Sequence, residues 1–383
     1  MKKVVIAQNI SFYAWHMRLN LARAIRDAGY EVIFVSSSDK SIVSSDKSLT
    51  GDKYSRKIEE EFKYYDINLS RKGTNPFTDL KTIYEFYRVY KKIKPDIVLH
   101  YTAKPSIYGT IACHQLNIKT INNIAGLGTL FVKQNFITKI AKKLYKDSQK
   151  NATKIFFQNR DDLKMFTDEK LVNASKCDVL PGSGVDTQKF MPMEQKEDNT
   201  FRFLLISRML WDKGIGEYVQ SAKNIKKIYK NIEFQLVGFL DTENSASAVS
   251  KEQMKEWTDE GYVNYLGSSD NIQEVVAKAD CVVLPSFYRE GTPRVLLEGA
   301  SMAKPIITTD NVGCRDVVDH GVNGYICKIK NSEDLTEKMI KMLRLSSQER
   351  NKMGERGREK IIKEFDESIV FKKYIDSIKE IIG

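Results

Sequence analysis

Short apolar runs alternate with segments of helical periodicity along almost the whole chain of 383 residues. The runs of the first half are VVIAQ (4–8), EVIFVS (31–36), DIVLHY (96–101), TINNI (120–124), KIFFQ (154–158) and CDVLP (177–181). Those of the second half are FRFLLIS (201–207), IEFQLVG (232–238), VNYLG (263–267), CVVLP (281–285), PIITT (305–309) and GYICK (324–328). Continuous apolar runs joined by helices are typical of buried parallel strands, so the pattern predicts an α/β fold of doubly wound sheets.

The alternation is interrupted near residues 186–200, where DTQKFMPMEQKEDNT is polar and unpatterned. We interpret this segment as a linker between two domains. The predicted division is an N-terminal domain over residues 1–190, a C-terminal domain over 191–365, and a last helix over 366–383 that packs back on the first domain. Both domains are predicted to be Rossmann-like and to face a central cleft, and the carboxyl ends of their strands are the expected ligand-binding edges.

The formal net charge of +11 predicts an anionic partner. Phosphorylated substrates, an anionic membrane surface and nucleic acid all fit that charge, but no recognised nucleic-acid-binding motif occurs, so a nucleic-acid partner is not expected. No apolar run approaches the roughly 18 residues of a membrane span. MKKVVIAQN predicts a first strand rather than a signal peptide, which favours a cytoplasmic protein.

Dinucleotide and metal cofactors are not expected. The chain has no glycine between Met1 and Gly29, so its first strand lacks the G-x-G-x-x-G loop of Rossmann oxidoreductases. The four histidines show no metal-ligand spacing. The five cysteines include no C-x-x-C pair and are expected to be small buried residues in a reducing compartment.

The stretch SFYREGTPRVLLEGASMAKPII (286–307) follows the strand CVVLP and carries two glutamates. Thr292 is a candidate helix cap and Pro293 a candidate first helical residue. Glu290 would then precede the helix and Glu298 would lie within it. Paired carboxylates suit the vicinal hydroxyls of a sugar or a ribose. The alternative is a capping loop with one solvated and one salt-bridged glutamate.

A second candidate site follows strand 201–207, in SRMLWDKGIGEYV. Arg208 and Lys213 leave the strand end just before a helix and could clamp a diphosphate. Gly214 would allow a close backbone approach. The alternative is an ordinary basic surface loop.

Loops of the first domain supply further candidates. VLHYTAKPSIYG places His100 and Lys104 at a strand end, and NIAGLGTLF carries Gly126 and Gly128. We expect these loops to form the floor of the cleft. A lone histidine or lysine in such a loop is more often structural than catalytic.

Together these residues resemble glycosyltransferase family 4, the retaining sugar transferases of the GT-B fold. The resemblance covers nearly the whole chain and rests on the E-x7-E spacing from Glu290 to Glu298, on SRMLWDKG, and on NVGCRDVVDHGVNGY after PIITTD. It implies a UDP-sugar as donor substrate, retention at the anomeric carbon, and no cofactor or metal.

The resemblance also implies a role for individual residues. Arg208 and Lys213 would bind the donor diphosphate and stabilise it as the leaving group. Glu290 would hold the transferred sugar, Glu298 would hold the ribose, and His100 is a further catalytic candidate. The remaining donor-binding candidates are Gly291, Thr292, Pro293, Leu266, Gly267 and Gly238.

The first loop, NISFYA, departs from the two glycines that many family members carry there. With the following WHMR, and with HYTAKPSIYG and NIAGLGTLF, it resembles a subgroup that acts on polyprenyl-diphosphate-linked sugars. The acceptor-binding candidates are Asn9, Ser11, His16, Arg18, Lys104, Gly126 and Gly128. The implied reaction adds N-acetylgalactosamine to undecaprenyl-diphospho-N,N′-diacetylbacillosamine in bacterial protein N-glycosylation. Capsule or lipopolysaccharide synthesis with other sugars is the alternative.

The segment FVKQNFITKIAKKLYKDSQKNATK (131–154) has the pattern of a basic amphipathic helix. Such a helix could lie on anionic lipid, which would place the protein peripherally on the cytoplasmic face of the inner membrane. The membrane-contact candidates are Lys133, Phe136, Lys139, Ile140 and Lys143. Alternatively, the helix packs its apolar stripe on the sheet and exposes its lysines to water. YEFYRVYKKIK (84–94) is a candidate extension of the basic face.

Overall fold

The computed structural model describes residues 1–38, 53–69, 76–126, 136–194, 198–240 and 247–383. These residues form two compact units, each built on a parallel sheet covered by helices. Unit 1 consists of Met1–Ser183 with Val370–Gly383, and unit 2 consists of Gly184–Ile369. The predicted fold class, two doubly wound α/β domains, is confirmed.

Unit 1 contains seven strands: β1 (Lys3–Ile10), β2 (Glu31–Ser37), β3 (Lys63–Asp66), β4 (Ile97–Tyr101), β5 (Lys119–Ile124), β6 (Lys154–Phe157) and β7 (Cys177–Val179). The α-helices of its segment Met1–Ser183 are α1 (Ser11–Asp27), α2 (Lys53–Glu59), α3 (Pro76–Ile93), α4 (Thr110–Gln115), α5 (Phe136–Gln149) and α6 (Arg160–Asp168). A π-helical turn, Pro105–Gly109, precedes α4. The strand order is β3-β2-β1-β4-β5-β6-β7. Strands β2 and β3 are added on one side of β1, and strands β4 to β7 are added on the other side, so the strand order reverses between β1 and β4.

Unit 2 contains six strands: β8 (Phe201–Ile206), β9 (Ile232–Val237), β10 (Asn264–Tyr265), β11 (Cys281–Leu284), β12 (Ile306–Thr309) and β13 (Gly324–Cys327). Its helices are α7 (Ile215–Lys226), α8 (Lys251–Asp259), α9 (Ile272–Ala277), α10 (Arg294–Ser301), α11 (Ser332–Arg344) and α12 (Ser347–Glu364). The strand order β10-β9-β8-β11-β12-β13 reverses between β8 and β11. The last helix, α13 (Glu367–Ile382), returns the chain to unit 1.

Both faces of each sheet are buried, which explains the continuous apolar runs. In β1, Val5 and Ala7 pack under α3, α4, α5 and α6, whereas Val4 and Ile6 pack under α1, α2 and α13. In β8, Phe203 and Leu205 belong to one core cluster and Leu204 to the other. The side chains alternate because successive residues of a strand point to opposite faces.

The sequence predicted the domain boundary at residue 190, whereas in the structure unit 2 begins at Gly184. The segment just before residue 190 is packed into unit 2, because the backbone of Val185 bonds to both Phe365 and Glu367, and Phe190 is buried. Although segment 186–190 is rich in polar residues, it is therefore not a free linker between the domains. Prediction also missed β3, an edge strand that is half exposed and has no continuous apolar run.

Candidate active site

The carboxyl ends of β8, β9 and β10 meet in unit 2 and bring three predicted donor-binding residues together. Gly238, at the end of β9, has φ of +138°, and a Cβ there would lie 1.8 Å from the carbonyl oxygen of Ser207. Its amide donates to the carbonyl of Gly267 at 2.8 Å. Leu266, which precedes that glycine, is an exposed apolar residue. The backbone here has room only for glycine, and an apolar side chain stands beside it.

The loops after β8 and β11 join an ammonium and a carboxylate. Lys213 Nζ pairs with Glu290 Oε1, and each side chain is only 12% exposed. Ser286 Oγ donates to the same carboxylate oxygen at 3.1 Å. The ammonium also lies 4.7 Å from the ring centre of Tyr288. The carboxyl ends of β8 and β11 thus hold a largely buried pair of opposite charges at the point where the strand order reverses.

Backbone contacts fix the two loops against each other. Gly214 has φ of +77°, and a Cβ there would lie 2.1 Å from the carbonyl oxygen of Pro285. The amides of Phe287 and Tyr288 both donate to the carbonyl of Asp212, at 3.0 and 2.9 Å. The positions of Lys213 and Glu290 are therefore set by main-chain geometry as well as by their own attraction.

The loop after β12 supports the same arrangement, and sequence reasoning assigned none of its residues a role. Asn311 Nδ2 donates to the carbonyls of Ser286 at 3.2 Å and Tyr288 at 2.8 Å. Gly313 has φ of +77°, and a Cβ there would lie 1.7 Å from the carbonyl oxygen of Gly291. The glycine of NVGCRD was the available signal for this close approach.

Arg208 lies at the start of the same loop but differs from Lys213 in exposure. Its side chain is exposed, and its carbonyl accepts hydrogen bonds from Ser207 Oγ at 2.9 Å and from the amide of Leu210 at 2.7 Å. The structure thus places one predicted cation on the surface and the other inside an ion pair. A diphosphate-binding role for Arg208 stays a prediction.

Helix α10 carries the second glutamate of the predicted pair. The helix begins at Arg294, and Pro293 is its N-cap with ψ of 118°, so the prediction that Thr292 caps the helix and Pro293 is its first residue was wrong by one position. Glu298 Oε1 lies 3.0 Å from Arg294 Nε, one turn earlier. Burial raises the pKa of Glu298, and Arg294 partly opposes that rise. Glu290 and Glu298 therefore have different cationic partners.

In unit 1, polar side chains collect where the strand order reverses between β1 and β4. The side-chain oxygens of Asn9, Thr102 and Ser106 are buried and make no hydrogen bond among the described residues. Thr102 has φ of +69°, a conformation that a branched residue rarely adopts and that is often found at binding sites. Ser106 is buried as a whole residue, whereas Asn9 and Thr102 are only partly buried, so the side-chain oxygens of these two can bind a polar ligand without breaking a described hydrogen bond.

Lys104 lies beside these groups and has a partner that sequence reasoning missed. Its Nζ is 3.8 Å from Oδ1 of Asp79, in the first turn of α3, and both side chains are largely buried. The only sequence signal for Asp79 was an acidic residue early in a predicted helix. The pair places one positive and one negative charge at the predicted acceptor edge.

Other acceptor candidates occupy different settings. Arg18 is buried, with its guanidinium 3.9 Å from the ring centre of Tyr101 and its Nη1 donating to Ser183 Oγ at 3.2 Å. His16 is exposed and packs against the ring of Phe12. Ser11, the first residue of α1, is fully buried, and Gly126 follows β5 with φ of +79°. Gly128 lies outside the described residues.

The predicted catalytic role of His100 is contradicted by its position. The imidazole is fully buried, with Nε2 3.0 Å from the hydroxyl of Tyr90 and Nδ1 2.9 Å from Oδ1 of Asn122. A Cβ at Gly109 would lie 2.3 Å from Nε2, so the π-helical turn closes over the ring. His100 has no face from which to reach a substrate.

Burial lowers the pKa of His100 to about 4. The unfolded chain, with the ordinary value of 6.5, binds more protons between these limits, so acidification lowers the free energy of unfolding. We expect His100→Gln to reduce the loss between pH 7 and pH 4.5 by about 2 kcal/mol, measured by urea unfolding. His114→Gln, at an exposed histidine of α4, is the control. An unchanged pH dependence in His100→Gln would contradict the interpretation.

The predicted membrane helix α5 is basic outside and apolar inside. Lys139 and Lys143 are exposed and Ile140 is 38% exposed, whereas Leu144 and Tyr145 pack into the core of unit 1. Lys133 and the side chain of Phe136 lie outside the described residues. For Leu144 and Tyr145 the alternative interpretation, an apolar stripe on the sheet, is the one observed. Within the described ranges, none of the helices has the length and apolar character needed to span a bilayer.

Comparison with known families yields two matches that follow one another along the chain. The family described as glycosyl transferase 4-like matches residues 5–159. The family described as glycosyl transferases group 1 matches residues 186–360. The matched segments contain both candidate edges.

Individual relatives match over most of their length. The chain is 27% identical to the N,N'-diacetylbacillosaminyl-diphospho-undecaprenol alpha-1,3-N-acetylgalactosaminyltransferase of Campylobacter jejuni, with 96% of each chain covered. It is 24% identical to the UDP-Gal:alpha-D-GlcNAc-diphosphoundecaprenol alpha-1,3-galactosyltransferase of Escherichia coli, over 83% of this chain and 88% of that one. The crystal structure of a glycosyltransferase from Rickettsia africae superposes with a TM-score of 0.78 at 19% identity, covering 100% of this chain and 98% of that one.

Proposed function

The chain belongs to the glycosyltransferases of the GT-B fold, and from this membership we propose that it moves an N-acetylhexosamine from a UDP-sugar to a sugar linked to undecaprenyl diphosphate. N-Acetylgalactosamine is the proposed donor sugar and N,N′-diacetylbacillosamine the proposed acceptor sugar, in bacterial glycan assembly leading to protein N-glycosylation. The Campylobacter relative, whose name gives this transferred sugar and this acceptor, supports the choice because it matches over 96% of each chain.

The observation that carries the proposal is the buried Lys213–Glu290 pair at the carboxyl ends of β8 and β11. Transfer of a sugar from a nucleotide diphosphate needs a cation for the departing phosphates and an acceptor of hydrogen bonds from the sugar hydroxyls. The pair offers both groups on loops that are fixed by backbone contacts. In the proposed complex the donor enters between them, with its diphosphate on Lys213 and its sugar on Glu290.

The proposed reaction retains the configuration at the anomeric carbon. The bond between that carbon and the β-phosphate oxygen breaks, and its electron pair leaves with UDP. The acceptor hydroxyl oxygen forms the new bond on the same face, and its proton passes to the departing phosphate oxygen. Lys213 and the exposed Arg208 neutralise the diphosphate, so the proposal includes no cofactor or metal.

We assign the acceptor to unit 1. Its edge combines a lysine, Lys104, with hydrogen-bonding side chains that have no described partner, Asn9 and Thr102. A cation suits the acceptor's diphosphate, and short polar side chains suit the hydroxyl and amide groups of its sugar. Because a polyprenyl chain anchors the acceptor in the membrane, we propose that the enzyme acts peripherally on the cytoplasmic face of the inner membrane, in contact with anionic lipid. The proposal includes no nucleic-acid partner.

The function is tested by radiolabel transfer. A panel of UDP-sugars is offered with mono- and disaccharides linked to polyprenyl diphosphate, and label is counted in the organic phase. Label from UDP-N-acetylgalactosamine in a lipid-linked product is the expected result. Transfer from UDP-galactose instead would favour the reaction named for the Escherichia coli relative. Label found only in water or in a soluble sugar would refute the lipid-linked acceptor.

Glu298→Ala is expected to weaken UDP binding by about 1–3 kcal/mol, because a charged hydrogen bond to the ribose is lost. Calorimetric titration with UDP measures the change. Glu364→Ala is the control, since Glu364 also forms an i,i+4 ion pair in unit 2, with Lys360. Equal UDP affinity in the wild type and in Glu298→Ala would remove Glu298 from the ribose site.

A further inference from the structure

Helix α3 exposes three large apolar side chains on its outward face. Phe77 is 84% exposed, Leu80 is 63% exposed and Tyr84 is 62% exposed. Their spacing of three and four residues places them on one side of the helix. The other side supplies Phe86, Val89, Tyr90 and Ile93 to the core of unit 1. The exposed residues are therefore additional to those that attach the helix to the sheet.

The same outward face is basic. The exposed cations of α3 are Lys81, Arg88, Lys91 and Lys92. At 3.6 residues per turn, they share an arc of about 120° with the three apolar residues. The carboxylates of the helix turn away from this arc or are held by neighbours: Asp79 pairs with Lys104, and Glu85 pairs with Arg88 at 2.8 Å.

Helix α5 extends the positive charge. It covers the same face of the sheet as α3, and both helices contact the π-helical turn between them. It exposes Lys139 and Lys143, but its exposed apolar contribution within the described side chains is Ile140 alone. The two helices thus share the cations, whereas α3 carries most of the exposed apolar area.

We propose that the outward face of α3 docks the protein on an anionic phospholipid bilayer. Phe77, Leu80 and Tyr84 enter the boundary between headgroups and acyl chains, while the cations of α3 and α5 contact lipid phosphates. Charge complementarity selects this occupant, because the exposed charged side chains of α3 are all cations, and an apolar stripe beside cations matches an apolar membrane interior under negatively charged headgroups. The inference rests on the proposed function in one respect: a polyprenyl-linked acceptor requires the enzyme at a bilayer.

Cosedimentation with vesicles tests the proposal on the full chain. Vesicles of phosphatidylcholine with phosphatidylglycerol are expected to bind the wild type, and vesicles of phosphatidylcholine alone to bind it at least about tenfold more weakly. The triple variant Phe77→Ser, Leu80→Ser and Tyr84→Ser should lose about tenfold or more in partition coefficient. The matched control replaces three exposed apolar residues of unit 2 with serine: Ile228, Val322 and Ile362.

A charge series separates α3 from general electrostatics. Lys81→Gln with Lys91→Gln should weaken binding to anionic vesicles severalfold, whereas Lys164→Gln with Lys372→Gln removes the same charge from other exposed helices of unit 1 and should have less effect. Equal losses in the two pairs, wild-type partition of the triple serine variant, or a requirement for membrane proteins in the vesicles would each overturn the proposal.

Failure of docking can be distinguished from failure of the proposed function. The α3 variants should transfer sugar at the wild-type rate to an acceptor with a short, water-soluble isoprenoid chain, and should lose activity only on vesicle-embedded acceptor. A wild type that binds anionic vesicles but transfers to no lipid-linked acceptor would refute the function and leave the docking surface standing. Circular dichroism melting confirms that each variant is folded.

Discussion

Lys213→Ala is expected to lower kcat by about 100-fold or more, because the departing diphosphate loses its buried cation. The structure adds a second effect. Glu290 is 12% exposed and pairs with Lys213, so removing the ammonium leaves a largely desolvated carboxylate without its cation. We therefore expect a lower free energy of unfolding, by about 1–3 kcal/mol, together with the catalytic loss. Single-turnover kinetics and urea unfolding measure the two effects.

Two further variants separate catalysis from stability. Adding Glu290→Gln to Lys213→Ala removes the carboxylate charge that has lost its cation, so stability should recover while kcat stays low. Lys360→Ala is the matched control, because Lys360 is 15% exposed and pairs with Asp319 at 3.0 Å, and Asp319 precedes the amino end of β13. Near-normal turnover of Lys213→Ala, or recovery of kcat in the double variant, would remove Lys213 from the role of leaving-group cation.

Gly313→Ala is expected to reduce kcat/KM by about 100-fold, because a displacement of roughly 1 Å at a catalytic loop can have an effect of that size. The added Cβ would lie 1.7 Å from the carbonyl oxygen of Gly291, the residue after Glu290, so one of the two loops must move. The displaced loop carries the carboxylate assigned to the sugar. Steady-state kinetics with varied UDP-sugar measures the effect.

Gly321→Ala provides the control for this substitution. Gly321 has φ of +79°, nearly that of Gly313, but a Cβ there meets no atom within 4 Å. Both variants carry the cost of a left-handed conformation, about 1–2 kcal/mol, and only Gly313→Ala adds the clash. If the two variants have equal kcat/KM, the contact between the loops after β11 and β12 does not position the site.

The strands and their edges could be predicted because parallel strands buried on both faces leave continuous apolar runs. β3 escaped prediction because its position at the edge of the sheet frees it from that requirement. The packed segment at 186–190 escaped because its attachment depends on Val185 and Phe190, two apolar residues in a polar stretch. In both cases the local sequence did not specify the structure, which depends on where the segment lies in the folded protein.

Contacts between side chains on different loops could not be predicted from the sequence. It indicated that Lys213 and Glu290 each follow a strand of the second domain, but the adjacency of those strands and the direct ion pair depend on topology and loop paths that no spacing specifies. The ion pair between Asp79 and Lys104 could not be predicted for the same reason, since the two residues lie on separate elements. His100 was assigned to a ligand-binding edge because it follows an apolar run, whereas the π-helical turn after β4 folds over it. Helical periodicity showed that α3 and α5 are basic, but not which apolar side chains remain outside.

The return of α13 to unit 1 has a consequence for how the nascent chain matures. Unit 1 is built from Met1–Ser183 and Val370–Gly383, whereas unit 2 is continuous. On the ribosome, unit 2 therefore has all of its residues before unit 1 does, although domains usually fold in order from the N-terminus. Until Tyr374 and Ile378 emerge, the face of the first sheet that α1 and α2 cover lacks the part of its cover that α13 supplies. That interval is when chaperone binding or misassembly would act on this protein.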